Sequence, residues 1–232
     1  MEKVIYVLSW PGGDRPAAVA ELLRGEVAAR LLDRGAHGVT VNVVDERVAP
    51  AAGLRMVSTA APMEAMVSVW MDSANGPLRA PFDDAVALAG GLVGAYLVTE
   101  SVPLVHRSSA PDGRVDGLAQ VVFFRRPADL DAEAFLERWL GRHTQVAIDT
   151  QSTFSYVQHP LPRPLTTGAP PWDAIVEECF PTGAMTDPEV FYDAVGDPER
   201  LARHQREMMA SVTGFIDLAH IEVIPTTRYD VA

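Results

Sequence analysis

Cysteine is nearly missing from this 232-residue chain: Cys179 stands alone. A single thiol excludes an intramolecular disulfide, and without a C-x-x-C companion it excludes the usual cysteine-based metal and redox motifs. Lysine and arginine are also scarce, 19 against 31 Asp and Glu, for a formal net charge of −12 and a pI near 4.8. A surface of that sign repels phosphate, so neither nucleic acid nor an anionic membrane face is an expected partner. The longest apolar run, Ala85–Val98, is too short to span a bilayer and is broken by Gly90, Gly91 and Gly94. Met1–Tyr6 enters a strand-like run with no basic segment before it, so no signal peptide is expected and a cytoplasmic location follows. The histidines lack H-x-E or H-x-x-x-H spacing, which leaves a metal site unsupported. The glycine-rich phosphate and dinucleotide motifs and the G-x-S-x-G nucleophile turn are absent too.

What the chain does have is a pattern written twice. Hydrophobic residues make up 48%, enough for a sizeable core. Val4–Trp10 and Gln120–Arg126 both read as strands ending in a proline, Pro11 and Pro127, and each is followed by an amphipathic helix. Gly38–Asp45 and Thr153–Pro160 read as second strands, with Val41-Asn42 over Val157-Gln158 at the same offset of 116 and no gap. Pro62-Met-Glu-Ala-Met-Val then lies over Pro171-Trp-Asp-Ala-Ile-Val, and Phe82-Asp-Asp-Ala-Val over Phe191-Tyr-Asp-Ala-Val, at an offset of 109. Tyr96–Val105 and Ile221–Val231 close the halves. An insertion near Gly196–Val212 reads as an extra helix capped by Asp197 with Pro198 at its first position. The polar, turn-rich stretch from Ser108 marks the join, giving halves 1–107 and 108–232. The predicted fold is therefore α+β: two ferredoxin-like βαββαβ units in tandem, whose bare sheet faces pack together as a dimeric α+β barrel within one chain.

The second half carries the polar residues suited to chemistry. On a helix wheel of about 100° per residue with Phe135 at zero, Val146, Trp139, Leu136, Ala147 and Leu140 fall in one arc, with His143 near its middle. An imidazole there is either a proton-transfer group or substrate anchor, or a buried histidine satisfied by a carbonyl. Its counterpart in the first half is Val27. On the third strand, Glu177 and Glu178 must point to opposite faces, in contact with His143 or a substrate, or paired with Arg125, Arg126 or Arg228. Tyr156 is either a hydrogen-bond donor to a ligand or a core tyrosine, and Gln158 is matched by Asn42.

Arg125-Arg-Pro-Ala-Asp-Leu-Asp-Ala-Glu-Ala-Phe-Leu-Glu-Arg-Trp-Leu-Gly-Arg-His followed by Phe154-Ser-Tyr-Val-Gln-His resembles the EthD family, with Phe135, Trp139, His143, Tyr156 and Gln158 on its motif and Arg125 at its basic-Pro start. The likeness covers about half the chain; in the first half Val27 and Thr40 stand where the His and Tyr would be. It implies a dimeric α+β barrel and relatives such as cyclases, dehydratases and monooxygenases that work without metal or organic cofactor in a pocket between helix and sheet. Site candidates are then His143, Tyr156, Glu177 and Glu178 for chemistry, with Phe135, Trp139, Gln158 and Arg125 for substrate binding. The expected partner is a small aromatic or carbonyl compound, with His143 shuttling a proton. A silent binding or pathway accessory protein is the alternative, a haem-binding oxidoreductase a third reading, and homo-oligomerisation stays open.

Overall fold

The computed structural model describes every residue except Asp14, Ala17 and Pro162. The first half runs β1 (Glu2–Leu8), helix α1, β2 (Gly38–Val43), β3 (Ala65–Met71), α2 (Gly76–Ala87), β4 (Leu92–Val98) and β5 (Ser101–Leu104). Helix α1 is continuous through Val19–Leu22, a π turn at Leu23–Val27, and Ala28–Asp33. The second half runs β6 (Leu118–Phe124), helix α3, β7 (Ser155–Pro160), β8 (Arg163–Pro164), β9 (Ala174–Phe180), α4 (Pro188–Phe191), α5 (Pro198–Val212) and β10 (Ile221–Asp230). Helix α3 joins Ala132–Leu136, a π turn at Glu137–His143, and Thr144–Thr150. The expected inserted helix is α5, and the Asp197 side chain accepts from the Arg200 N–H at 2.9 Å.

All strand pairs are antiparallel, in the order β5-β7-β9-β6-β10-β2-β3-β1-β4-β8. Within each half the pairing order is the same: second, third, first, last. The sheet closes on itself. Tyr96 and Leu97 of β4 pair with β8, Ser101 and Leu104 of β5 pair with β7, and the Thr99 N–H donates to the Pro160 carbonyl at 3.1 Å between them. Opposite this seam, β10 leaves β6 after Thr226 and pairs with β2 from Thr227 on.

Closure explains why β1, β6 and β9 read as near-continuous apolar runs. One face of each is covered by helices and the other lines the barrel interior, so both are buried. Three clusters follow: Val4, Tyr6 and Leu8 under α1 and α2; Val122, Phe124 and Val176 under α3 and α5; and Ile5, Val7, Phe123, Ile175 and Ile224 inside the barrel.

One expectation from the sequence fails. Val69 and Glu178 are 109 residues apart and pair with Val4 and Gln120, as the offsets require. Their other neighbours, Val39 and Tyr156, are 117 apart, not 116. Leu31 and Ala147 are still 116 apart and both buried on their helices, so the second half has one extra residue between Ala147 and Tyr156. A one-residue slip turns every side chain to the opposite face. Gln158 therefore corresponds to Val41, not Asn42: it faces α3 and donates to Thr144 Oγ1 at 3.0 Å, whereas Asn42 faces the interior and donates to Thr226 Oγ1 at 3.2 Å. Likewise Val39, not Thr40, matches Tyr156.

Candidate functional site

Helix α3 starts at Asp131, whose carboxylate accepts from the Ala134 N–H at 2.8 Å. Its buried residues Phe135, Trp139, His143 and Ala147 are spaced by four. In a plain α-helix each step of four drifts about 40° around the axis. The π turn, with its wider i→i+5 loop, takes back that drift and keeps the four side chains in line. The simple wheel misplaces Leu136, which is 37% exposed, and Val146, which is half-buried. The Thr144 hydroxyl donates to the Leu140 carbonyl at 2.9 Å, satisfying a group near the π turn. In α1 the π turn sits at Leu23–Val27, 116 residues before Trp139–His143, so the turn itself does not require a histidine.

Between α3, the sheet and α5 lies a cavity of about 190 Å³. Trp139 and His143 form its helix wall. Gln120 and Val122 of β6, Tyr156 of β7, and Val176 and Glu178 of β9 form its floor. Met208 and Val212 of α5, with Phe215 and Ile216 beyond it, cover the top, and Phe191 and Tyr192 close one end. Glu178 is flanked across the sheet by Tyr156 and Gln120.

The electrostatics of this space follow from burial. Burial pushes the Glu178 carboxyl up to about 7. Among the described residues no hydrogen bond reaches that carboxyl. Burial pushes the His143 imidazole down to about 4, so it is neutral at pH 7. Its Nδ1 lies 2.9 Å from Ser211 Oγ of α5, and the Phe215 ring centroid is 4.8 Å from its own. Tyr156 is raised by burial and then by the adjacent Glu178, and the Gln158 amide donates to its hydroxyl at 3.4 Å. The Gln151 side-chain oxygen is buried without a partner among the described residues.

Of the residues singled out from the sequence, Trp139, His143, Tyr156 and Glu178 meet in this cavity. Glu177 points the other way, into the barrel interior, where its carboxylate is 4.0 Å from His159 Nε2. Phe135 packs behind the wall, 5.5 Å from Trp139 and 6.2 Å from Phe124 by ring centroids. Gln158 lies behind Tyr156 and supports it. Arg125 lies past the end of β6, where its carbonyl accepts from the Asp217 N–H at 2.8 Å, away from the cavity. Sequence reasoning missed the cover. Met208, Val212, Phe215 and Ile216 fall at i, i+4, i+7 and i+8, the stripe of a helix packed on one face, and that spacing was the available signal. Gln120 had a signal as well, a polar residue where Val4 stands in the first half.

Among the described residues no helix is long and apolar enough to cross a membrane, and no group of three His, Cys, Asp or Glu side chains is placed to hold a metal ion. No curated protein matches the chain. A crystal structure of an anthrone oxidase-like protein aligns over 100% of this chain and 91% of its own, with TM-score 0.55 and 13% identity. A dye-decolorizing peroxidase from Bacteroides thetaiotaomicron VPI-5482 aligns over 99% and 93%, with TM-score 0.51 and 12% identity. At these identities the likeness is one of fold. Residues 127–219, from the start of α3 to the turn before β10, match the EthD domain, so the wall and the cover of the cavity fall in the segment with family likeness and the floor strand β6 falls outside it.

Proposed function

We propose that the chain consists of two related ferredoxin-like βαββαβ halves, 1–107 and 108–232, and that the second half binds a small carbonyl or aromatic molecule and moves a proton on it. The shared strand order, the matched π turns and the common register of β1–β3 and β6–β9 support the duplication. One observation carries the functional reading: Glu178, raised to about 7, and His143, held neutral, face one cavity from opposite walls, while their counterparts Val69 and Val27 are fully buried core residues. Titratable groups pushed apart by their surroundings are a mark of acid–base sites.

The roles differ from those the sequence suggests. An imidazole depressed to about 4 is a weak base, so this reading gives proton abstraction to another group and keeps His143 as a donor. Glu178 near 7 is poised as the general base. Its carboxylate takes the proton from carbon next to a carbonyl; the electron pair of that C–H bond forms a C=C bond, and the carbonyl π pair moves to oxygen. His143, in the tautomer that accepts at Nδ1 from the Ser211 hydroxyl, donates its Nε2–H to the developing oxyanion, and the Tyr156 hydroxyl is a second donor. The resulting enolate, held by these two hydrogen bonds, is the first intermediate of many cyclisations and dehydrations. A cavity of about 190 Å³ beneath α5 suits one or two fused rings and does not accommodate a haem-sized macrocycle.

The test uses 1-indanone in D₂O, with exchange of its acidic hydrogens followed by proton NMR. Wild-type protein is expected to accelerate exchange over buffer, and Glu178→Gln to slow the protein-dependent rate by about 10²- to 10⁴-fold. Saturable binding of 1-indanone with exchange at the buffer rate would overturn the proton-transfer reading in favour of a silent binding protein.

A further inference from the structure

The barrel interior is divided along its length. One part is the apolar cluster around Ile5, Phe123, Ile175 and Ile224. The other is polar, although its side chains are just as buried: Lys3, Asn42, Ser68, His159 and Glu177 are each less than a tenth exposed. A barrel held together only by packing has no need of these groups, and each costs free energy unless it is hydrogen-bonded. Four buried polar atoms there lack any partner among the described residues: Asn42 Oδ1, Ser68 Oγ, His159 Nδ1 and Glu177 Oε2. Above them a cavity of about 450 Å³ opens at the barrel mouth, separate from the helix–sheet cavity, with Ser68 and Glu177 on its lining and Trp70, Val102 and Val105 at its sides.

The charges inside this space are committed unevenly. Lys3 Nζ is paired with Glu100 and lies 2.8 Å from His159 Nε2. Burial would raise the Glu100 carboxyl, but His159 and Lys3 outweigh it and hold it down at about 2. The Arg228 Nε–H donates to Asp230 at 2.9 Å. Arg228 acts through its charge on Glu177 as well as on Asp230, yet among the described residues no hydrogen bond reaches the Glu177 carboxylate, and its buried Oε2 is unpartnered. The nearest nitrogen recorded for it is His159 Nε2 at 4.0 Å, which already faces Lys3. Val102 and Val105, 39% and 71% exposed on the rim, offer apolar surface next to this carboxylate.

We propose that the barrel mouth is a second binding site, which takes a small molecule with an ammonium head and an apolar body. The ammonium donates to Glu177 and Ser68, and the body lies against Trp70 and Val102. Lys3, Glu177 and Arg228 sit on strands from both halves, so such a ligand would bridge them.

The experiment is an NMR titration of the ¹⁵N-labelled full chain with benzylamine, using benzyl alcohol and benzoate as neutral and anionic isosteres. Benzylamine is expected to give saturable shifts at the backbone amides of Ser68, Glu177 and Arg228, with the two isosteres binding at least about tenfold more weakly. Glu177→Gln should raise the benzylamine dissociation constant by about tenfold or more, and Ser68→Ala, which removes only a hydroxyl, by a few-fold. The amide spectrum of each variant reports its fold. Absence of saturable shifts in wild type, equal binding of benzyl alcohol, or shifts unchanged in both folded variants would overturn the proposal and leave these polar atoms to ordered water alone.

Discussion

Glu178→Gln stabilises the protein at pH 8 by on the order of 3 kcal/mol and leaves its stability nearly unchanged at pH 4. Burial pushes the folded carboxyl up to about 7 from an ordinary value of 4.5, because its charged form is disfavoured there. Between those two values the folded state holds a proton that the unfolded state has released. Stability therefore falls as pH rises from 4.5 through 7, and the loss is complete above 7. A glutamine has the shape of the protonated acid and does not titrate, so the penalty disappears. His143 acts in the opposite sense. Its folded value of about 4 lies below the ordinary 6.5, so the unfolded state takes up a proton first and stability is lost as pH falls from 6.5 through 4. The two slopes offset each other in the wild type between pH 4.5 and 6.5. In Glu178→Gln the carboxyl slope is gone and the His143 slope remains, with His159, also pushed down by burial, acting in the same sense, so stability should climb steadily over that interval. Urea unfolding at pH 4, 6 and 8 measures all three points. An equal effect of the substitution at pH 4 and pH 8 would show that this carboxyl is not desolvated. A side chain whose removal stabilises the fold is one the fold carries for another reason.

Trp139→Ala costs about 3–5 kcal/mol, whereas Leu136→Ala, three residues away on the same helix, costs about 0.5 kcal/mol or less. Trp139 is fully buried, with its ring centroid 5.1 Å from that of Phe124 in an edge-to-face contact. Leu136 is 37% exposed. On an unbroken α-helix both would share the apolar arc, so the contrast tests the π turn as directly as it tests the packing. Urea unfolding of the two variants at one pH is sufficient. Comparable losses would mean that α3 is a regular helix and that His143 faces elsewhere. Trp139→Phe, which keeps the edge-to-face contact, should lose less than Trp139→Ala.

The strands were legible because barrel closure buries both faces of β1, β6 and β9, and their largely apolar runs stand out between turn residues. His143 was legible because a step of four from Trp139 survives the change from α to π geometry. The exposure of Leu136 was not, since nothing in Glu137–His143 signals the wider turn and a fixed angle per residue misplaces its neighbours. The pairing of Gln158 with Asn42 was misread for a different reason: one added residue before β7 leaves the aligned letters looking well matched while turning each side chain to the other face. Glu177 and Glu178 were correctly placed on opposite faces, but which one met the cavity depended on the register of β9 with β6 and β7. The polar part of the interior was legible only in part, as one inward glutamate with Arg228 among its possible partners. Ser68 and Glu177 are single polar residues on otherwise apolar faces of β3 and β9, and that they gather with Arg228 depends on closure of the barrel.

The central claim is that Glu178 is a desolvated carboxyl with its proton held ready near neutral pH, in the same cavity as an uncharged His143. The most direct measurement is an NMR titration of the Glu178 side-chain carboxyl in protein labelled with ¹³C at the glutamate δ-carbon, with Glu178→Gln identifying the resonance. The account predicts a midpoint near 7 for that resonance. A midpoint near 4.5, the ordinary value for a solvated glutamate, would contradict it.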